Sequence, residues 1–179
     1  MRKNYVNNIG KIHKKIYEKI IKTIGLFNHP LYMNKFIPYL RKNGMDIKNP
    51  IYIATSVSFD GKDLSKIHIG DDVVISGDVR ILTHDYSISR ALQSIGVNMS
   101  NEVYFLKDVY IGDNSFIGAK SILLPGTVIE KNVIVGAGSV VRGHIYENSI
   151  VIGNPAVVIK KTNEYAEKHL KIKDYRENS

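Results

Sequence analysis

Large aliphatic residues recur at every sixth position through most of this chain. Ile69, Ile75, Ile81, Ile111, Ile117, Leu123, Ile129, Val135 and Val141 share one six-residue phase. With 44% apolar residues, filling all nine of these slots by chance has a probability on the order of a few in a thousand, allowing for six possible phases, so the period is structural. Ile51, Val57 and Phe105 share the phase, whereas Asp63 breaks it. Four residues after the slots come small or β-branched residues: Val73, Val79, Val109, Ser115, Ser121, Thr127, Val133 and Ser139. Turn formers cluster between them, as in Ile111-Gly-Asp-Asn and Leu124-Pro-Gly-Thr. Six residues make one flat side and one corner, three sides make a triangular coil, and stacked coils make a parallel β-helix. The aliphatic residue points inward and the small residue fits the corner. The spacing leaves the hand of the coil open.

The rhythm stops once, at Thr83-His84, and resumes towards Phe105 and Ile111. A break lets the chain leave the prism surface, and the spacing predicts a loop excursion over 84–102. His84 stands at its root, where the rigid coil still holds it. Rigid elements that position a reactive group, with loops that shape a cleft, are a common division of labour.

The chain has 179 residues and no cysteine, which removes disulfides and thiolate metal sites. No run approaches the ~20 apolar residues that span a bilayer, and no apolar core of signal-peptide length follows the basic N-terminus. The net charge of +8 is unevenly placed. Residues 1–50 hold 11 lysines and arginines against Glu18 and Asp46, a balance of +9, and the rest of the chain balances at −1. A body without excess positive charge argues against a nucleic-acid partner.

Residues 6–27 read as a basic amphipathic helix. Val6, Ile9, Ile12, Ile16, Ile20, Ile24 and Phe27 fall on one face, and Lys11, Lys14, Lys15, Glu18, Lys19 and Lys22 on the other. Gly25 and Asn28-His29-Pro30 end it. Two readings follow: the isoleucine face docks on the body or on a sister chain with the lysines solvated, or it makes peripheral contact with an anionic membrane. Residues 31–43 read as a second short helix, interrupted by Pro38 and ended by Gly44. After Val141 the phase decays through Gly143-His144-Ile145-Tyr146 to Gly153-Asn154-Pro155-Ala156, and a short helix from about Asn163 is expected to close the last coil. The expected organisation is a basic helical segment over 1–48, a β-helix over 49–161 and a C-terminal extension over 162–179.

The units Ile111-Gly-Asp-Asn-Ser-Phe, Ile117-Gly-Ala-Lys-Ser-Ile and Val135-Gly-Ala-Gly-Ser-Val, with the ending Ile152-Gly-Asn-Pro-Ala-Val-Val-Ile-Lys, resemble the hexapeptide-repeat acyltransferases. Within them the chain is most similar to the maltose/galactoside and polysaccharide O-acetyltransferases, where a looped-out segment begins beside a catalytic histidine, here at Thr83-His84-Asp85-Tyr86-Ser87. The resemblance covers about residues 51–161. It implies a mainly β fold, a left-handed parallel β-helix, which departs from the usual right-handed crossover. It also implies a homotrimer with sites between subunits, acetyl-CoA as donor and a carbohydrate hydroxyl as acceptor; the expected location is the cytoplasm, with peripheral contact at the inner face of the membrane as the second reading of residues 6–27.

The resemblance also assigns residues. His84 is the expected general base; one imidazole suffices to deprotonate a hydroxyl and then protonate the departing thiolate, with no metal required. Asp85 and Tyr86 are expected at the acceptor, or else as residues that start the loop. Asp60 is expected there too, its alternative being an ordinary Asp-Gly turn. On the donor side the resemblance places Ala119 at the thioester, Ala137 at the pantetheine and Lys160 at the nucleotide phosphates. A second family lysine falls at Gly143, where the neighbouring Arg142 is the candidate substitute.

Other readings use the same fold. The acceptor is a glycan of capsule or lipopolysaccharide, or a small molecule such as serine, a free sugar or an antibiotic; or the prism is a non-catalytic scaffold. A zinc carbonic-anhydrase reading needs three converging histidines, and His68, His84 and His144 are too scattered for it.

Overall fold

The computed structural model describes residues 16–60 and 63–177. From Asp46 onward the chain winds into a left-handed parallel β-helix with three parallel sheets as its sides. The first sheet stacks Asp46–Ile47, Ile67–Ile69, Val109–Ile111, Val128–Ile129 and His144–Ile145. The second stacks Tyr52–Ile53, Val74–Ile75, Phe116–Ile117, Ile134–Val135 and Ser149–Gly153, and Ala156–Lys161 closes it as an antiparallel edge. The third stacks Ser58–Phe59, Arg80–Ile81, Ile122–Leu123 and Val140–Val141.

The registers follow the six-residue rhythm. Ile111 pairs with Ile129, Ile117 with Val135 and Leu123 with Val141, each step being three six-residue sides. Inward residues therefore stack like on like. Ile47, Ile69, Ile111, Ile129 and Ile145 form one buried column, and Ile53, Ile75, Ile117, Val135 and Val151 another. Each such burial contributes about 1.5–3 kcal/mol. The small residues are buried at the corners as expected. The hydroxyls among them donate to backbone carbonyls: Ser115 to Glu130 (3.0 Å), Ser121 to Gly136 (3.1 Å) and Thr127 to Val141 (3.1 Å). Outside one corner, Asn114, Asn132 and Asn148 adopt positive φ, which asparagine tolerates, and link by side-chain amide bonds of 2.8 and 3.0 Å.

The ends of the prism depart from the simple phase. Ile51 is 64% exposed and Phe105 42% exposed, so neither belongs to the core column. Val57 is a buried corner residue. In the first coil the rungs are Ile47, Ile53 and Phe59, which pair with Ile69, Ile75 and Ile81. The phase resets in the following segment, where Asp63 caps a 3-10 turn over Leu64–Lys66. At the other end, Ile145 follows Val141 by four residues, so one side is short, and the prism continues through Ile145 and Val151.

Helix α1 is described over residues 16–24; the expected stretch 6–15 lies outside the described residues. The isoleucine stripe is not the face that docks. Ile21 is buried, whereas Ile16 and Ile20 are exposed, and Lys22, expected in solvent, reaches the Val57 carbonyl at 3.0 Å. Helix α2, His29–Lys42, runs unbroken through Pro38. Asn28 caps it by accepting from the Leu31 N–H (2.9 Å). The bond that Pro38 cannot donate is offset by burial of Tyr32, Phe36, Ile37 and Leu40 on one face. Gly44, at φ +100°, follows its end.

The excursion is folded. His84–Asp85 pairs antiparallel with Phe105–Leu106, and helix α3, Ser87–Ser94, fills the arm between them. Buried Ser89 ties the arm together: its hydroxyl donates to the Val103 carbonyl (2.6 Å) and accepts from the Val103 N–H (2.8 Å). Lys107 N–H to the Thr83 carbonyl (2.9 Å) closes the base. Helix α4, Thr162–Ile172, is tethered by Thr162 bonds to Asn148 and Asn132 but buries none of its residues, so the last coil is covered by Ala156–Lys161 instead. No helix among the described residues is long and apolar enough to cross a membrane.

Candidate active site

The corner between the third and first sheets brings Asp60 under His84. The Asp60 N–H bonds to the Ile81 carbonyl (2.9 Å), which sets the carboxylate one rung below Leu82-Thr83-His84. One carboxylate oxygen, Oδ2, accepts from the Thr83 N–H (3.0 Å), the Thr83 hydroxyl (3.1 Å), the His84 N–H (3.1 Å) and the His84 imidazole Nδ1. The side chain of Asp60 is 8% exposed and that of His84 25%. Burial pushes the Asp60 carboxyl upward. The Thr83 N–H, the His84 imidazole, the Thr83 hydroxyl and the charge of a protonated His84 outweigh it, leaving the carboxyl below its ordinary value. An Nδ1–H held by an ionised carboxylate leaves the lone pair on Nε2, the tautomer a general base needs.

Two tyrosines flank the imidazole from the arm. The ring of Tyr86 meets His84 edge-on at 5.4 Å and 87°, and that of Tyr104 at 6.1 Å and 81°. The two tyrosines lie 4.8 Å apart. Nothing in the sequence pattern singles out Tyr104. It sits 20 positions from His84 with no motif around it, and only the antiparallel return of the arm brings it back. Asp85 accepts from the Ser87 N–H (2.8 Å) at the start of α3. That bond leads the effects that hold its carboxyl below the usual range.

The donor-side residues sit elsewhere. Ala119 and Ala137 lie on successive rungs at the corner between the second and third sheets, linked by the Gly138 N–H to the Ala119 carbonyl (2.8 Å). Ala119 is half-buried and Ala137 exposed. A Cβ on Gly118 would lie 2.5 Å from the Ala137 nitrogen, whereas one on Gly138 would meet nothing within 4 Å. The rungs are thus closely packed while the backbone beside Ala137 is open outward. Arg142 is exposed at the His84 corner, two rungs on. Gly143 has φ +75°, a conformation that disfavours the lysine the resemblance expects there. Lys160 pairs with Ile150 on the antiparallel edge strand. One chain therefore brings Asp60, His84, Asp85 and Tyr86 together, with Arg142 further along that corner, but leaves Ala119 and Ala137 at a different one.

Two further histidines, His68 and His144, are engaged at the surface of the first sheet. His68 meets Asp46 at 3.0 Å and stacks on Tyr110; His144 meets Glu130 at 2.7 Å and stacks on Tyr146. Among the described residues no three His, Cys, Asp or Glu side chains gather in a way that could hold a metal ion.

Residues 108–143 match the family described as bacterial transferase hexapeptide (six repeats). Protein CapG of Staphylococcus aureus is 37% identical over 137 residues, covering 76% of this chain and 77% of CapG. A protein of Escherichia coli K12 described as a lipopolysaccharide biosynthesis O-acetyl transferase, WbbJ, is 37% identical over 103 residues, covering 56% of this chain and 53% of WbbJ. Among solved structures, a maltose O-acetyltransferase from Clostridium difficile 630 superposes with a TM-score of 0.57 at 26% identity, covering 84% of this chain and 87% of that one. The chain belongs to the hexapeptide-repeat transferase family. It spans about half the length of most curated relatives it matches.

Proposed function

We propose that the protein is an acetyl-CoA-dependent O-acetyltransferase that acts on a sugar hydroxyl, with His84 as general base. The observation that carries this reading is the Asp60–His84 pair at the root of the arm. A hydroxyl is a poor nucleophile until it loses its proton. In the proposed step the acceptor O–H proton passes to Nε2 of His84 as the oxygen attacks the thioester carbon. The C–S bond then breaks, and the proton returns from Nε2 to the departing thiolate. Asp60 stabilises the imidazolium in between and fixes its tautomer. The backbone N–H of Ala119 is the proposed donor to the developing oxyanion. The chemistry needs neither a metal nor a covalent enzyme intermediate.

Acetyl-CoA fits the corner of Ala119 and Ala137, where small side chains leave backbone open to an extended ligand, with Lys160, and Arg142 from the copy that supplies His84, as its phosphate-facing cations. Because that corner is not the His84 corner, a complete site takes His84 from one copy and Ala119 and Ala137 from another. This supports a homotrimer with sites between subunits. Tyr86 and Tyr104 form the proposed platform for the acceptor ring, with Asp85 beside it. The names of WbbJ and of the maltose enzyme favour a carbohydrate acceptor, and that of WbbJ one in lipopolysaccharide or a related surface glycan.

The test is free-CoA release from acetyl-CoA with free sugars, nucleotide sugars, oligosaccharide fragments, serine and chloramphenicol, for wild type and His84→Ala. Acceptor-dependent release that collapses in the variant, with acetyl-CoA binding retained, supports the reading. Failure of the wild type to bind acetyl-CoA overturns it in favour of a scaffold.

A further inference from the structure

The isoleucine stripe of α1 turns away from the prism. Ile16 and Ile20 are exposed, and beyond the helix end Leu26 is exposed and Phe27 is 88% exposed. Ile16, Ile20, Ile24 and Phe27 line one shallow apolar groove with Lys19 and Thr23 at its rim. The helix is nonetheless fixed to the body, through buried Ile21 and the Lys22 bond to the Val57 carbonyl. The docking face and the apolar stripe are therefore different faces of one short helix, and the body satisfies only the first.

We propose that this stripe is a membrane-docking surface for an anionic bilayer. It deepens the proposed function by naming the surface at which the enzyme works, but it does not depend on the chemistry. Charge selects the occupant. Residues 1–50 carry a balance of +9 and the remainder −1, so the cationic excess lies on the same segment as the apolar stripe. In the sequence, Val6, Ile9 and Ile12 continue the spacing of Ile16 and Ile20, and Lys11 and Lys15 continue that of Lys19. An apolar stripe with lysines along one flank enters the interface of an anionic bilayer, each lysine keeping its ammonium at the headgroups. A second copy of the chain fits less well, because pairing two such stripes brings two +9 segments together.

The experiment is sedimentation of the full-length protein with vesicles of phosphatidylcholine alone and of phosphatidylcholine with about 30% phosphatidylglycerol. The comparison is wild type against Ile20→Glu/Phe27→Glu, with circular dichroism and sedimentation velocity on both. Wild type is expected to bind the anionic vesicles at least about tenfold more strongly than the neutral ones, less so as salt rises. The double variant should lose that binding by about tenfold or more with its fold and oligomeric state unchanged. Absent binding by wild type, or equal binding by the folded variant, overturns the proposal. A variant that dissociates into smaller species assigns the stripe to a second copy and also overturns it. None of these readouts involves acetyl transfer, so this inference and the proposed function fail separately.

Discussion

The Asp60 carboxylate gathers four donors on one oxygen, and one of them is the imidazole of His84. The other three belong to Thr83 and to the His84 backbone, so the same carboxylate holds both the ring and the strand that carries it. Asp60→Asn retains an acceptor of similar shape but removes the charge. Its expected effect is a fall in kcat of roughly 10²-fold or more with little change in acetyl-CoA affinity. Asp60→Ala also strands the donors of Thr83 and His84, and should cost about 2–4 kcal/mol of stability. Steady-state kinetics with denaturant unfolding separates the two effects; an Asn variant with wild-type kcat excludes Asp60 from the mechanism.

The same carboxylate makes stability depend on pH with a definite sign. Its pKa in the fold lies below the ordinary value, so the folded protein binds its proton less readily than the unfolded chain does. The stabilisation is complete above the unfolded value of about 3.9. It declines as pH falls below that value and is lost once the folded carboxyl is protonated. Melting curves of wild type and Asp60→Asn at pH 7, 5 and 3 should show a gap that holds at pH 7 and 5 and narrows at pH 3. A gap that widens on acidification contradicts the assignment.

Tyr104 faces the His84 ring from just before the returning strand of the arm and lies 4.8 Å from Tyr86. If the pair forms the acceptor platform, Tyr104→Ala should raise the acceptor KM by up to about tenfold, the range of one aromatic contact. The KM for acetyl-CoA should stay unchanged, and Tyr104→Phe should restore most of the loss. A fall in kcat alone, at constant acceptor KM, points instead to ring positioning.

The prism was legible because its driving force is periodic. One buried aliphatic residue per side repeats strictly enough to fix both the rungs and the corners, and Val73 to Ser139 lie at the corners expected of them. Legibility failed wherever the period shifted. Val57 kept the numerical phase while serving as a corner, and Ile145 lost the phase while remaining in the core. His84 stood out because the rhythm stops there. Asp60 read as an acceptor residue or an Asp-Gly turn and not as the partner of His84, since that partner lies 24 positions on and only coil stacking brings them together. Pro38 misled because local propensity breaks a helix that packing by Phe36 and Leu40 keeps whole. The stripe on α1 was visible, but its direction depends on how the helix meets the body.

Rung spacing makes some glycines irreplaceable and others not. A methyl at Gly118 would lie 2.5 Å from the Ala137 nitrogen and 2.6 Å from the Val135 oxygen, both backbone atoms that cannot swing aside. Gly77, at the same corner one rung earlier, faces only the Ser56 hydroxyl, at 3.3 Å. Gly118→Ala should therefore destabilise by about 1–3 kcal/mol and weaken acetyl-CoA binding if Ala119 meets the donor. Gly77→Ala should stay within about 0.5 kcal/mol of wild type. Denaturant unfolding of the two variants checks the contrast, and equal losses refute the rung-contact argument.

Tyr32 joins α2 to the body with a fully buried ring stacked on Phe36 at 4.9 Å. Its hydroxyl has no hydrogen-bond partner among the described residues, and burial pushes the phenol pKa well upward, with Glu18 and Tyr52 adding to it. A buried hydroxyl without a partner costs free energy that the ring's packing must offset. Tyr32→Phe removes the hydroxyl and keeps the ring, so it should be neutral or stabilising by up to about 1 kcal/mol. Tyr32→Ala removes both and should cost about 3–5 kcal/mol. Gly25 packs against this ring, since an added Cβ would lie 2.9 Å from it, so the Ala variant should also loosen α1. Denaturant unfolding of both variants, with hydrogen exchange over residues 16–42, reads the two effects together. Destabilisation by Tyr32→Phe would mean that the hydroxyl has a partner whose loss outweighs the relief.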